Sequence, residues 1–223
     1  LLHHEINYRA NIFALKKLGA KQVISISATG SLREDIHPGE LVIPSQYFDF
    51  IKGNREKTFF GGGVVAHVST AQPSCNDLAE WIKTSSSELG LKMHMDKTYA
   101  CVDGPRLGTK AESFFLRNSG CDIVGMTNIP EVFLAREAQL CYTTVALITD
   151  YDCWKDNSSE HVSVEKVISR YQKSLENAKT LLSDLLTRQL PIVNEEYRRS
   201  LDNSILNEGR LDSKRDLLSV LRA

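Results

Sequence analysis

Two aspartates with one residue between them, Asp150 and Asp152, follow directly on the apolar run Thr143-Thr-Val-Ala-Leu-Ile-Thr149. The run predicts a buried strand, and the carboxyl ends of such strands are where an open α/β sheet keeps its ligand. Paired carboxylates in a partly dry cleft push each other's pKa upward until one can hold a proton at neutral pH. One acid could then accept a hydrogen bond while the other donates one. Spacing alone equally allows Asp150 and Asp152 to cap the following turn or to pair with Lys155 on the surface.

Three further stretches carry polar groups at strand ends. The β-branched run Gln22 to Ser27 leads into Ala28-Thr29-Gly30-Ser31, a small-residue turn that can turn backbone N–H groups toward an anion, although a plain strand-ending turn explains it as well. A strand over Thr98 to Val102 runs into the Gly/Pro loop Gly104 to Thr109, where Arg106 and Glu112 are spaced to pair for structural reasons. Cys121 to Gly125 gives way to Met126-Thr127-Asn128, with Pro130 just inside the next helix. Together the four ends would line a pocket with anion donors, a thioether, hydroxyls and two acids. His67, alone in the unpatterned stretch Gln46 to Gln72, is by default a surface histidine.

The elements that must position these residues alternate between the two periodicities. Helices are expected from Asn7 to Leu18 (apolar Tyr8, Ile12, Leu15, Leu18), from Ser74 to Leu89 with Ser74 and Asp77 in capping positions, and from about Lys110 to Gly120 with Ala111, Phe114, Phe115 and Leu116 toward the core. Others run from Pro130 to about Gln139 and from Ser163 onward, the last with Val164, Val167, Ile168, Tyr171, Leu175, Ala178, Leu182 and Leu185 on one face. Leu41 to Pro44 reads as a short strand that Pro44 ends. The expected architecture is an α/β, single-domain three-layer sandwich: a central, mostly parallel or mixed sheet flanked by helices over residues 1–187, then a charged tail, 188–223, with a short helix near its end.

With 223 residues, 42% of them hydrophobic, the chain can bury one substantial core. A formal charge of -1 with mixed signs gives no basic stripe for nucleic acid and no polybasic patch for a membrane. No apolar run is long enough to span a bilayer. Cys75, Cys101, Cys121, Cys141 and Cys153 form no CxxC pair and lie mostly in or beside expected strands, which predicts reduced, buried thiols in a cytoplasmic protein, with no disulfide and no metal. Leu1 opens the chain without an initiator Met or a signal pattern and runs into a helix almost at once, as if the beginning lay upstream.

From Ile6 to about Leu186 the sequence resembles the trimeric purine nucleoside phosphorylases, and within them the 5'-methylthioadenosine phosphorylase branch. The motifs that carry the resemblance are Asn7-Tyr-Arg-Ala-Asn11, Ala28-Thr-Gly-Ser-Leu-Arg-Glu34, Gly104-Pro-Arg106, Ala111-Glu-Ser113, Met126-Thr-Asn-Ile-Pro-Glu131 and Thr149-Asp-Tyr-Asp-Cys-Trp154. The resemblance implies cleavage of a purine N-glycosidic bond by inorganic phosphate, with no cofactor. It implies phosphate contacts at Ser27, Ala28 and Thr127, Met126 beneath the ribose, and Leu107, Thr149, Asp150 and Asp152 around the base. Asp150 would accept from a 6-amino group, and it or Asp152, protonated, would engage N7. It further implies a homotrimer in which His67 reaches the neighbouring subunit's 5' pocket. A general purine nucleoside phosphorylase, or a noncatalytic nucleoside-binding homologue, remains an alternative.

The pattern departs from the family in three places. Leu107 stands where a phenylalanine is usual, with Gly108 after it, so that apolar contact replaces stacking. Gly125 follows the general phosphorylases, where the methylthio branch commonly has Asn. The glycine-rich phosphate loop and the Arg-His pair that clamps phosphate would lie upstream of Leu1.

Overall fold

The computed structural model describes residues 1–155, 164–206 and 214–223. Helix α1 (Tyr8–Lys17) is followed by strands β1 (Gln22–Ser31), β2 (Leu41–Phe50) and β3 (Val65–Ala66), helix α2 (Asn76–Glu88), β4 (Met93–Val102), α3 (Lys110–Asn118), β5 (Ile123–Gly125), α4 (Asn128–Glu137) and β6 (Cys141–Tyr151). The long helix α5 (Val164–Leu185), a 3-10 turn at Glu195–Arg198, β7 (Ile205–Leu206) and α6 (Arg215–Leu221) complete the order. The side chains expected on one face of α5 at Val164, Val167, Ile168 and Tyr171 lie outside the described residues.

The central sheet is mixed and helix-flanked, as the alternation predicts, but it is not open. Its strands close in the order β1, β5, β4, β2, β6. β1 pairs with β6, and β2 and β5 with β4, all in parallel; short antiparallel contacts, Gly30 to Val124 and Leu41 to Leu147, join these parts into a ring. Closure removes the sheet edges that would otherwise offer unpaired backbone groups.

β6 is buried from Cys141 to Thr149 because it is covered on both sides, as parallel strands usually are. Tyr142, Ala146 and Ile148 pack in one cluster with α1, α4 and α6, while Cys141, Val145 and Leu147 pack in another with α2 and α5. The tail joins the first cluster through Leu201, Ile205, Leu218 and Leu221, and β7 pairs with β3.

Several expectations are corrected. β2 continues through Pro44 to Phe50, because the ladder to β4 shifts register on either side of the proline, which has no N–H to give. The cap of α2 is Cys75, not Ser74; the Ser74 hydroxyl donates to the Pro44 carbonyl (2.7 Å) and Asp77 accepts from the Asn194 N–H (2.7 Å). On α3, Phe114 and Phe115 stay 43% and 49% exposed, since Ser113 and Leu116 form its buried face. Leu15 and Leu18 of the first helical segment are likewise exposed, and Lys16 is buried in their stead.

The cysteines are not all reduced: Cys75 and Cys141 form a disulfide with their Cα atoms 5.3 Å apart. The start of α2 is tied to the start of β6 by Cys75 N–H to the Tyr142 carbonyl (2.8 Å) and the Thr143 hydroxyl to the Cys75 carbonyl (2.9 Å). A separation of 66 residues leaves no local spacing that could announce the pair. Cys101, Cys121 and Cys153 are free thiols. Among the described residues no helix is long and apolar enough to cross a membrane.

Candidate active site

The carboxyl ends of β1, β4, β5 and β6 surround a cavity of about 450 Å³. Every strand end singled out from the sequence contributes: Ser27 to Gly30, Asp103, Gly104 and Arg106 to Gly108, Gly125 to Thr127, and Thr149, Asp150 and Asp152. Of the expected site residues, Ser27, Ala28, Leu107, Met126, Thr127, Thr149, Asp150 and Asp152 all line it. His67 does not. It is exposed beside β3, where its backbone N–H donates to the Ser204 carbonyl (2.8 Å).

At one end stand the two acids. The parallel ladder runs in step from Gln22 opposite Cys141 to Thr29 opposite Ile148, then skips Thr149, so that Gly30 faces Asp150. This bulge re-aims the strand end, as bulges beside ligand sites do. The freed Thr149 hydroxyl lies 2.5 Å from Asp150 Oδ1 and 3.2 Å from the Thr29 carbonyl. Asp150 on the strand and Asp152 just past its end both line the cavity. A Cβ built on Gly30 would sit 3.5 Å from Asp150 Oδ2 and 3.6 Å from the Asp152 Cβ, so both acids lean over this glycine.

The segment is held to β1 by Asp152 N–H to the Ser31 carbonyl (2.9 Å) and Trp154 Nε1–H to the same oxygen (2.8 Å), with the Arg117 guanidinium 3.9 Å from the Trp154 ring. Lys155 places its ammonium 3.7 Å from the ring of Tyr151. The acids are thus pinned by their own strand end and its aromatic neighbours.

At the other end the groups are neutral. The Ser27 hydroxyl lies 3.1 Å from the Tyr99 hydroxyl and 3.3 Å from that of Thr127. Thr127 is the N-cap residue of α4 but makes no side-chain capping bond, which leaves its hydroxyl for Ser27. Burial raises the Tyr99 phenol far above its ordinary pKa, so it stays protonated.

Sequence reasoning missed three residues here, Tyr99, Arg55 and His3, and marked Gly125 only as a departure from the family. Tyr99 and Gly125 belong together: a Cβ on Gly125 would stand 1.9 Å from the Tyr99 hydroxyl. Arg55, 6% exposed, donates from Nη1 to the carbonyls of Met126 (2.7 Å) and Ile129 (2.8 Å), and so fixes the turn that carries Met126 and Thr127. Nothing in the aperiodic Gln46 to Gln72 stretch marked it. His3 lines the cavity against Gly104 and Met126 with Nδ1 buried and unpaired; burial, and then the nearby Arg55 charge, lower its pKa and favour the neutral ring.

The rim is ionic. Arg106 donates to both oxygens of Glu112 (2.8 and 2.7 Å), the structural pairing expected of them, and this bond first of all holds the Glu112 carboxyl well below its usual range. Glu112 also closes a capping box with Thr109 at the start of α3. Leu107, 61% exposed at the mouth, offers plain apolar surface. Among the described residues no group of three or more His, Cys, Asp or Glu side chains is placed to hold a metal ion.

The chain is similar to the S-methyl-5'-thioadenosine phosphorylases of Geobacter sulfurreducens, 47% identical over 188 residues, and Hyperthermus butylicus, 50% identical over 189. It spans 65% of the length of the first and 68% of the second, with 84% of its own length matched in each. Among solved structures it matches a methylthioadenosine phosphorylase from an antarctic soil metagenomic library (TM-score 0.88, 37% identity, covering 99% of this chain and 78% of the other). It also matches the methylthioadenosine phosphorylase of Schistosoma mansoni in complex with adenine (TM-score 0.84, 32% identity, 92% and 80% covered). The family model for the phosphorylase superfamily matches residues 1–187, and the chain belongs to that superfamily.

Proposed function

We propose that this protein cleaves the N-glycosidic bond of a purine nucleoside with inorganic phosphate, and that its preferred substrate is 5'-methylthioadenosine. The observation that carries this is that one cavity of about 450 Å³ is lined both by two acids, Asp150 and Asp152, and by the small-residue strand end and hydroxyls of Ser27, Ala28 and Thr127. Relatives at 47% and 50% identity bear that activity in their names.

A phosphate oxygen would attack C1' of the ribose as the C1'–N9 bond breaks and its electron pair passes to the purine. The transition state resembles an oxocarbenium ion, so two things help: an anion held against the sugar and a proton delivered to the leaving base. Ala28 N–H and the hydroxyls of Ser27 and Thr127 would hold the phosphate, and Met126 would support the ribose. Asp150 would accept from the 6-amino group, with it or Asp152, protonated, giving its proton to N7. The products are adenine and 5-methylthioribose-1-phosphate. No cofactor takes part.

The reading includes a homotrimer in which His67 enters a neighbour's site. Its support is the exposure of His67 on the surface, outside its own chain's cavity. A cytosolic setting is supported by the buried free thiols Cys101 and Cys121 and opposed by the Cys75–Cys141 bond.

Purified protein should release adenine from 5'-methylthioadenosine only when phosphate is present. Equal release in phosphate-free buffer would make it a hydrolase, and binding by calorimetry without turnover would make it a noncatalytic nucleoside-binding protein; either result overturns the proposal.

A further inference from the structure

We infer that Tyr99 is a positioning residue for the co-substrate: from inside the barrel it sets the proton direction of the Ser27 and Thr127 hydroxyls so that they donate to an anion. This rests on the phosphorolytic reading of the site. Tyr99 lies on β4, is wholly buried and does not line the cavity, whereas Ser27 and Thr127 do.

A hydroxyl has one proton and can donate only once. Ser27 and Thr127 are 3.3 Å apart, and left to themselves each could spend its proton on the other or on the protein interior. The Tyr99 oxygen is 3.1 Å from Ser27 Oγ. Wholly buried, the phenol has Ser27 Oγ as the hydrogen-bond partner of its hydroxyl, and a phenol is a better donor than an aliphatic alcohol, so its proton goes to Ser27. Ser27, now an acceptor on its inner side, donates outward or to Thr127, which donates in turn. The run from Tyr99 through Ser27 to Thr127 therefore has one polarity, and its free proton points into the cavity.

The packing at Gly125 keeps the space for this group. Gly125 must lack a side chain, because a Cβ would meet the Tyr99 hydroxyl at 1.9 Å, its Cζ at 2.6 Å and the Thr29 Cγ2 at 3.1 Å. Any side chain at position 125 is excluded while Tyr99 stands as placed here.

The test is Tyr99→Phe, which keeps the ring and removes the hydroxyl. Steady-state kinetics with 5'-methylthioadenosine and inorganic phosphate should show the KM for phosphate raised about tenfold, with the KM for the nucleoside and the melting temperature close to wild type. Ser27→Ala should raise the phosphate KM by a similar factor, and the double variant Ser27→Ala/Tyr99→Phe should rise little further, because one residue acts through the other. An unchanged phosphate KM in active Tyr99→Phe, an equal rise in both KM values, or simply additive effects in the double variant each overturn the inference while leaving phosphorolysis standing. A wild-type protein that turns over nucleoside without phosphate overturns the phosphorolytic reading and this one with it.

Discussion

The two ends of the cavity are built from different materials. The acid end carries two half-exposed carboxyl groups and is made from one continuous segment, Thr149 to Trp154, folded back onto the end of β1. The hydroxyl end is buried, neutral and made from three elements distant in sequence, with Ser27 on β1, Tyr99 on β4 and Thr127 at the start of α4. Carboxyl groups are tolerated at the first position because water reaches it; in the closed barrel an unpaired charge would carry a heavy desolvation cost, and polarised hydroxyls do not. Leaving-group chemistry and anion binding are thus separable, and the two ends should fail in different ways when altered.

The largest effect is expected at the acid end. If one of the pair delivers the proton to the base, Asp152→Asn should lower kcat for 5'-methylthioadenosine by ~10²–10⁴-fold with little change in the KM for phosphate. Asp150→Asn should act on choice as well as rate. The amide can donate to a 6-oxo group where the carboxylate can only accept from a 6-amino group, so the ratio of inosine to methylthioadenosine turnover should rise by about 10-fold or more. Inosine turnover that does not change relative to methylthioadenosine would remove Asp150 from base selection and break the division between the ends.

Next is Gly125→Ala at the hydroxyl end. The new methyl group has no room beside Tyr99, and overpacking of this kind costs about 1–3 kcal/mol. The melting temperature should fall by about 2–10 °C and the phosphate KM should rise, because the displaced phenol is the one that contacts Ser27. A variant with wild-type melting and wild-type phosphate KM would show that the barrel yields there at no cost.

The contrast between the ends also decides what could be seen in the sequence. Asp150 and Asp152 announce themselves because the chemistry is local: an apolar run, then two acids on alternate residues. The strand ends of β1, β4 and β5 were legible for the same reason, since glycine, proline and small polar residues mark where a strand stops. Tyr99 reads as one more apolar residue in a strand, and only closure of the barrel brings it to Ser27. Closure itself is invisible in any one segment, as is the Cys75–Cys141 bond across 66 residues. Phe114 and Phe115 misled because a hydrophobic pair on a helix gives no sign of which flank it faces; here their neighbours Ser113 and Leu116 take the buried side.

A smaller effect is expected at the rim, where the cavity is framed and not filled. Thr109→Ala removes the hydroxyl that accepts the Glu112 N–H in the capping box of α3, a loss of about 1 kcal/mol and so a fall of about 2–4 °C in melting temperature. Because the box frames the mouth and contacts neither end directly, kcat should change less than twofold. A large kinetic effect would mean that α3 shapes the base site more closely than its exposed position suggests.

The smallest effect lies away from the cavity, at the start of β2, and it separates fold stability from both ends. Burial alone would raise the pKa of Glu40, but hydrogen bonds from Lys92, the His37 N–H and His94 hold it down at about 2. A carboxylate whose folded pKa lies below its unfolded value adds stability that is complete above the unfolded pKa and is lost as pH falls toward the folded one, because the unfolded chain takes up the proton first. The contribution should therefore be present at pH 7 and decline from about pH 5 to about pH 2. Glu40→Gln, which cannot ionise, should melt lower than wild type at pH 7 by a margin of about 1 kcal/mol and lose that deficit progressively in acid. Thermal melts of both proteins at pH 7, 5 and 3 would check this. A gap that stays constant over that range would mean that the two basic partners stabilise β2 by packing and by neutral hydrogen bonds, with no role for the Glu40 charge.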